Sequence, residues 1–95
     1  MLEAVANPRR REILRLVWKE ELSAGEIAAH FDVSWPAISQ SLGVLRRSGL
    51  VTERREATRR MYRADRRAAG PLARVLEEMW SRDLERLRRV VEEDT

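Results

Sequence analysis

Ser34-Trp35-Pro36-Ala37-Ile38-Ser39-Gln40-Ser41-Leu42-Gly43-Val44-Leu45-Arg46-Arg47-Ser48-Gly49 decides how this chain folds. Serine is a common first residue of a helix, and Pro36 falls in the first turn, where a missing amide hydrogen costs nothing. Ser48-Gly49 is a stop. At about 100° per residue, Ile38, Leu42 and Leu45 lie within about 60° of one another and must face a core. The opposite side is centred on Pro36, Gln40, Gly43 and Arg47, with Ser39 and Val44 flanking it. That outward side has no acid. Gln40 is an amide able to pair bidentately with adenine, and Gly43 keeps the helix thin where a groove wall would approach.

Upstream, Ser23-Ala24-Gly25-Glu26 is a capping box, with serine and glutamate each satisfying an amide of the other's end. Ile27 and Ala28 continue that helix to about His30, and Phe31-Asp32-Val33 is a three-residue turn. Two short helices so joined, over about residues 23–47, form a helix-turn-helix. Further upstream, Asn7-Pro8 reads as an N-cap followed by proline at the first helical position. Ile13, Leu14, Leu16 and Val17 give that helix an apolar face through about Trp18, with Leu2 and Val5 as a lead-in turn on the same side. Downstream, Leu50 to Arg55 reads as a strand, Glu56-Ala57-Thr58 as a turn without the usual glycine, and Arg59 to Arg63 as the return. A hairpin over about residues 50–63 results. Either Asp65 or Gly70-Pro71 starts the last helix, placed at about 66–93. Its apolar positions are Leu72, Val75, Leu76, Met79, Trp80, Leu84, Leu87, Val90 and Val91, a period held for about 30 Å.

The chain has 95 residues, one domain's worth, and a net charge of +3. Residues 1–33 sum to −1, residues 34–67 to +6 and residues 68–95 to −2. Positive charge gathered in the middle third is the footprint of a polyanion partner. Arg54, Arg55, Arg59 and Arg60 flank the hairpin turn, where like charges facing each other are destabilising unless something neutralises them. Arg46, Arg47, Arg63, Arg66 and Arg67 extend the patch.

Motifs then point to a family. Ala6-Asn7-Pro8-Arg9-Arg10-Arg11-Glu12-Ile13-Leu14 resembles the opening A-D-P-x-R-R-x-I-L of the arsenic-repressor (ArsR) family. Glu21-Leu22-Ser23-Ala24-Gly25-Glu26-Ile27-Ala28 resembles its E-L-S-V-G-E-L-A. Residues Ser34 to Leu45 resemble its recognition helix S-R-P-A-V-S-Q-H-L-K-V-L, and Ser48-Gly49-Leu50-Val51 with Arg59-Arg60-Met61-Tyr62 its wing. The resemblance implies a mainly α winged helix-turn-helix with a small β-hairpin wing. It implies a homodimer paired through first and last helices, and a repressor bound to double-stranded operator DNA. The expected DNA contacts are Ser34, Trp35, Pro36, Ser39, Gln40, Gly43, Arg46 and Arg47 on the recognition helix. On the wing they are Arg54, Arg55, Thr58, Arg59 and Arg60. Leu14, Val17, Leu76, Met79, Trp80, Leu84 and Leu87 are the expected dimer contacts, the last helix having more apolar positions than so small a core can cover. This chain departs from the family pattern at Trp35, where a basic residue is usual, at Ser41, usually histidine, and at Gly43, usually lysine or arginine. Trp35 either packs on a deoxyribose or a thymine methyl, or is partly buried.

Several functions are excluded by what is missing. Metal sensors of this family use paired cysteines in the first helix of the motif, or Asp, His and Glu sets on the last helix. Here Glu26-Ile27-Ala28-Ala29-His30 has no thiol, cysteine is absent, and His30 is the only imidazole. The expectation is a metal-independent regulator with no cofactor. Glu77-Glu78 and Glu92-Glu93-Asp94 read as solvated helix charge. No nucleophile–base pair and no glycine-rich phosphate loop supports an enzyme. Residues 1–6 do not resemble a signal peptide and no apolar stretch approaches a membrane span, so a cytoplasmic location is expected. A second reading is a protein-docking module whose basic wing grips an acidic partner, and such a face would more often expose aromatics or leucines. A third is a sensor of a small-molecule inducer, in an apolar dimer pocket near Met79 and Trp80.

Overall fold

The computed structural model describes residues 1–93. In chain order the elements are α1 (Leu2–Ala6), α2 (Pro8–Leu16), β1 (Leu22–Ser23), α3 (Ala24–Ala28), α4 (Trp35–Arg47), β2 (Val51–Glu56), β3 (Arg59–Ala64), α5 (Arg66–Ala69) and α6 (Pro71–Glu93). The strands form one antiparallel sheet in the order β1-β3-β2. Asp94 lies outside the described residues.

Asn7 caps α2 as its sequence requires, its side chain accepting from the Arg10 amide at 3.1 Å. What precedes it is a helix rather than a lead-in turn. The last carbonyls of α1 have no helical partners, and arginines of α2 supply them: Arg10 donates to Ala4 and Glu3, and Arg11 to Val5 and Ala6. These arginines are thereby occupied in tying the first two helices together. Val5 packs into the core, whereas Leu2 remains 70% exposed and does not share that side.

The capping box at Ser23 and Glu26 is present in both directions, at 3.1 and 2.9 Å. Ser34 is the N-cap of α4 by position, yet its hydroxyl makes no capping bond. Ile38, Leu42 and Leu45 are buried as their spacing dictates, and Ser41 joins them at 4% exposure. Position 41 therefore adds nothing to the outward face, and Val44 is half-buried against the core. Ile13, Leu14 and Val17 of the first helical unit, Ile27 of α3, the α4 residues, Leu50, Val51, Tyr62 and Leu76 make up one core.

The hairpin runs from Val51 to Ala64, one residue later than its sequence suggested, and closes through Ala57 and Thr58 alone. Ala57 takes φ +56°, a left-handed conformation usually left to glycine. The wing is more than a hairpin, because Leu22 and Ser23 pair with Tyr62 and Met61 as a third strand. The last helix is also not one piece. Asp65 caps the short α5, accepting from the Ala68 amide at 3.2 Å, and Gly70 at φ +56° breaks the chain before Pro71 begins α6. Both candidate starts are thus used, one for each helix.

α6 joins the core only along its first turns. Leu76 is 2% exposed, while Met79 and Trp80 are half-buried. Trp80 meets Trp18 edge-on at 5.1 Å between ring centroids. Trp18 Nε1 donates to Glu77, and Arg66 both pairs with Glu77 at 2.8 Å and lies over the Trp18 ring. Beyond Trp80 the apolar stripe continues at the surface: Leu84, Leu87, Val90 and Val91 are 53–60% exposed.

Candidate nucleic-acid interface

α4 has an outward face because its inward one is fully committed. Ser34, Trp35, Pro36, Ser39, Gln40, Arg46 and Arg47 are all exposed, and Gly43 is half-exposed. No acid interrupts residues 34–47. The wing lies along this helix. Its tip meets the first turn of α4, where Trp35 shares a cleft of about 390 Å³ with Ser23, Ala24, Gly25, Thr58, Arg59 and Arg60. Farther along, β2 approaches the last turn of α4, with Arg46 Nε 3.8 Å from Glu53 Oε2. Helix and wing thus form one surface. Trp35 is 53% exposed within it, so the tryptophan borders the cleft rather than filling the core.

The four arginines near the turn do not share one fate. Register pairs Arg55 with Arg60, Arg54 with Met61 and Glu56 with Arg59. Arg54 reaches over β3 to Glu21, donating from Nε at 2.8 Å, with a second contact to Glu56 at 3.7 Å. The Glu21 hydrogen bond raises the Arg54 pKa, and the same bond lowers that of Glu21. Arg59 pairs with Glu26 at 2.9 Å. Glu26 is held below the ordinary glutamate range by the Ser23 amide first, then by the Ser23 hydroxyl and the charge of Arg59. Arg54 and Arg59 are therefore already neutralised within the chain. These two acids escape sequence reading because each lies 33 residues from its arginine. Only the path of β1 beside β3 brings them together.

Arg55 and Arg60 are different. They sit opposite each other on the sheet face that also carries Glu53 and Tyr62, and no carboxylate among the described residues pairs with either. Glu53 is engaged elsewhere, accepting from the Tyr62 hydroxyl at 2.8 Å. Burial first, then that bond, raises the Tyr62 pKa and keeps it a donor. The like-charge conflict inferred for four arginines thus narrows to one directly facing pair beside the tip of the wing.

The expected dimer residues divide likewise. Leu14 and Val17 are 0% exposed and Leu76 2%, so all three are consumed by the chain's own core and have no surface left for a partner. Met79 and Trp80 are half-buried, and Leu84 and Leu87 keep more than half of their surface exposed. Val90 and Val91 belong with them. Among the described residues no three His, Cys, Asp or Glu side chains gather where a metal could be held. No described helix is long and apolar enough to cross a membrane.

Known proteins share this architecture. The profile of the family described as bacterial regulatory protein, arsR family, matches residues 7–53. The transcriptional activator HlyU of Vibrio cholerae is 45% identical over 62 residues, which are 65% of this chain and 57% of that protein. The biofilm growth-associated repressor of Agrobacterium fabrum is 37% identical over 81 residues, 85% of this chain and 67% of that one. This chain thus spans little more than half the length of the first relative and two thirds of the second. The homodimeric winged helix-turn-helix DNA-binding domain of a Mycobacterium bovis protein, solved in solution, matches with a TM-score of 0.68 and 34% identity. The match covers 87% of this chain and 74% of that one. With its helix-turn-helix, its three-stranded wing and these relatives, the chain belongs to the arsR family of bacterial DNA-binding transcriptional regulators.

Proposed function

We propose that this chain is a homodimeric repressor that binds a specific duplex operator in the cytoplasm without a metal, and that it controls its own promoter or a neighbouring operon. One observation carries the reading. The acid-free outward face of α4 lies beside the facing pair Arg55 and Arg60, which no carboxylate among the described residues neutralises. A helix enters a major groove and reads base edges, while flanking cations meet phosphates. Gln40 lies at the centre of that face, with Ser39 beside it. Arg55 and Arg60 supply the sequence-independent grip.

Pairing two copies follows from α6, whose exposed stripe from Leu84 to Val91 extends past the core. The relative from Mycobacterium bovis is homodimeric, which supports the same association here. A two-fold pair presents two α4 helices to half-sites about 34–36 Å apart. The relatives include a repressor and an activator. A small dimer seated on an operator blocks polymerase by occupancy, which favours repression.

The test has two arms. Fragments selected from random duplex DNA should yield a near-palindromic site, bound far more tightly than bulk DNA and with steep salt dependence. A reporter driven by that site should rise when the gene is deleted. Equal affinity for all duplexes refutes specific binding, and a reporter that falls refutes repression. The docking-module alternative requires an acidic protein partner and predicts no selected site.

A further inference from the structure

α4 carries a pair of residues whose relationship appears only in three dimensions. A Cβ placed on Gly43 would lie 3.1 Å from Arg47 Nη1 and 3.7 Å from its Cζ and Nη2. The guanidinium of Arg47 therefore rests on the bare backbone of Gly43. Side chains on a helix lean toward its N-terminus, so that of residue 47 leans over residue 43, one turn earlier. A side chain at 43 would lift it away.

The neighbouring arginine sharpens the contrast. Arg46 points to Glu53 of the wing, and Arg54, Arg59 and Arg66 have carboxylates of their own. Arg47 makes no hydrogen bond or ion pair with any described residue. Its five donors lie over the middle of the outward face, exposed and uncommitted to any described residue. Around the helix Arg47 lies about 20° from Gln40. Folded back to the level of Gly43, its guanidinium sits about 4.5 Å along the axis from Gln40. Successive bases on one strand are about 3.4 Å apart. Gln40 and the Arg47 guanidinium thus follow one another along the same outward face, within reach of neighbouring base pairs.

We propose that Arg47, laid over the bare backbone of Gly43, is a specificity-determining residue that reads guanine next to the base pair contacted by Gln40. The inference rests on the proposed entry of α4 into a major groove and adds the identity of a second base. Arginine matches guanine because two parallel N–H donors meet O6 and N7. Gly43 is the positioning partner. At 3.1 Å an added methyl displaces a flexible side-chain end, not the backbone, so the helix survives and the aim of the arginine changes.

The experiment compares sites selected from random duplex DNA by wild type, Gln40→Ala, Arg47→Ala, Arg47→Lys and Gly43→Ala, with affinities for the winning site and for bulk DNA. Wild type should select guanine beside the base read by Gln40. Arg47→Ala should lose that guanine preference by about tenfold or more and leave the adjacent preference intact. Arg47→Lys should keep the salt dependence but not the preference, since an ammonium cannot make the bidentate pair. Gly43→Ala should weaken the guanine preference about threefold while its thermal midpoint holds or rises, alanine being the better helix former. If Arg47→Ala weakens winning site and bulk DNA equally and flattens the salt dependence by about one unit, Arg47 grips phosphate and the proposal fails. A Gly43→Ala protein with wild-type preference overturns the role of the glycine. If Gln40→Ala and Arg47→Ala both select the wild-type site, α4 reads no bases, and the wider functional reading fails with the inference.

Discussion

Leu87→Ala should separate two copies of this chain while leaving each one folded. Leu87 is 60% exposed and lies well beyond the last α6 residue that touches the core. Full burial of a leucine contributes about 2 kcal/mol, so covering three fifths of one contributes about 1.2 kcal/mol. In a two-fold pair each position counts twice. Allowing for the methyl that alanine keeps, association should weaken by about 2 kcal/mol, roughly thirtyfold in Kd. The thermal midpoint at monomer concentrations should hardly move, because nothing is lost from the core. Leu76→Ala supplies the contrast. Leu76 is 2% exposed, and its truncation should cost about 3 kcal/mol of fold stability. Sedimentation equilibrium over a wide range of loading concentrations reads both the 11.1 kDa monomer and the species of twice that mass. A wild type that stays monomeric at every concentration refutes the reasoning. So does a Leu87→Ala protein with unchanged Kd, which would place the interface elsewhere than the end of α6.

Gln40→Ala should cost about 1–3 kcal/mol on the operator and little on random duplex. Arg55→Ala or Arg60→Ala should weaken both alike and flatten the salt dependence by about one unit. Arg59→Ala should do less of the same, since Glu26 already neutralises that arginine, and an equal effect of Arg59 and Arg60 in matched titrations would contradict this. Stoichiometric zinc, cadmium or arsenite should leave operator affinity unchanged, and a tenfold loss confined to one of them would reveal a missed site. Ser23→Ala should lower stability by about 1 kcal/mol through loss of the cap. The acid limb follows from the same box. Glu26 has a lowered pKa in the folded chain, so its contribution is present above its unfolded value, about 4.3, and is lost as pH falls through the folded one. Wild type and Glu26→Gln melting curves should therefore converge below that range, while the Ser23→Ala deficit, which comes from the hydroxyl cap on the Glu26 amide, should persist there; a gap between wild type and Glu26→Gln that survives at low pH would refute the assignment.

Where the structure follows the sequence, the signals are local. Ser23 and Glu26 are three residues apart, Asn7 caps an amide three residues on, and Ile38, Leu42 and Leu45 share a face by spacing alone. What the sequence hides is decided between distant segments. β1 is two residues long and exists only because β3 passes beside it. α1 depends on arginines whose guanidinium groups come from the next helix. Ala57 holds a left-handed turn that its identity does not announce. The candidate interface divides the same way. The outward position of Gln40 could be read from angle, whereas the neutralisation of Arg54 and Arg59 could not. Leu14 and Val17 show the limit of periodicity: it identifies an apolar face without saying whether that face meets its own chain or another.

The break at Gly70 gives α6 the character of a lever. It is 23 residues long, about 34 Å at 1.5 Å per residue, and only its near end is gripped, by Leu76 and the two tryptophans. Beyond Trp80 about 20 Å of it is free, so a rotation of about 10° where it leaves the core carries the far end through about 3.4 Å, the rise of one base pair. For two copies joined at those far ends, the gap between the α4 helices is thus measured as an angle at Trp80. Tolerance for an operator with one base pair more or less between its halves becomes a matter of the stiffness of Trp18 against Trp80.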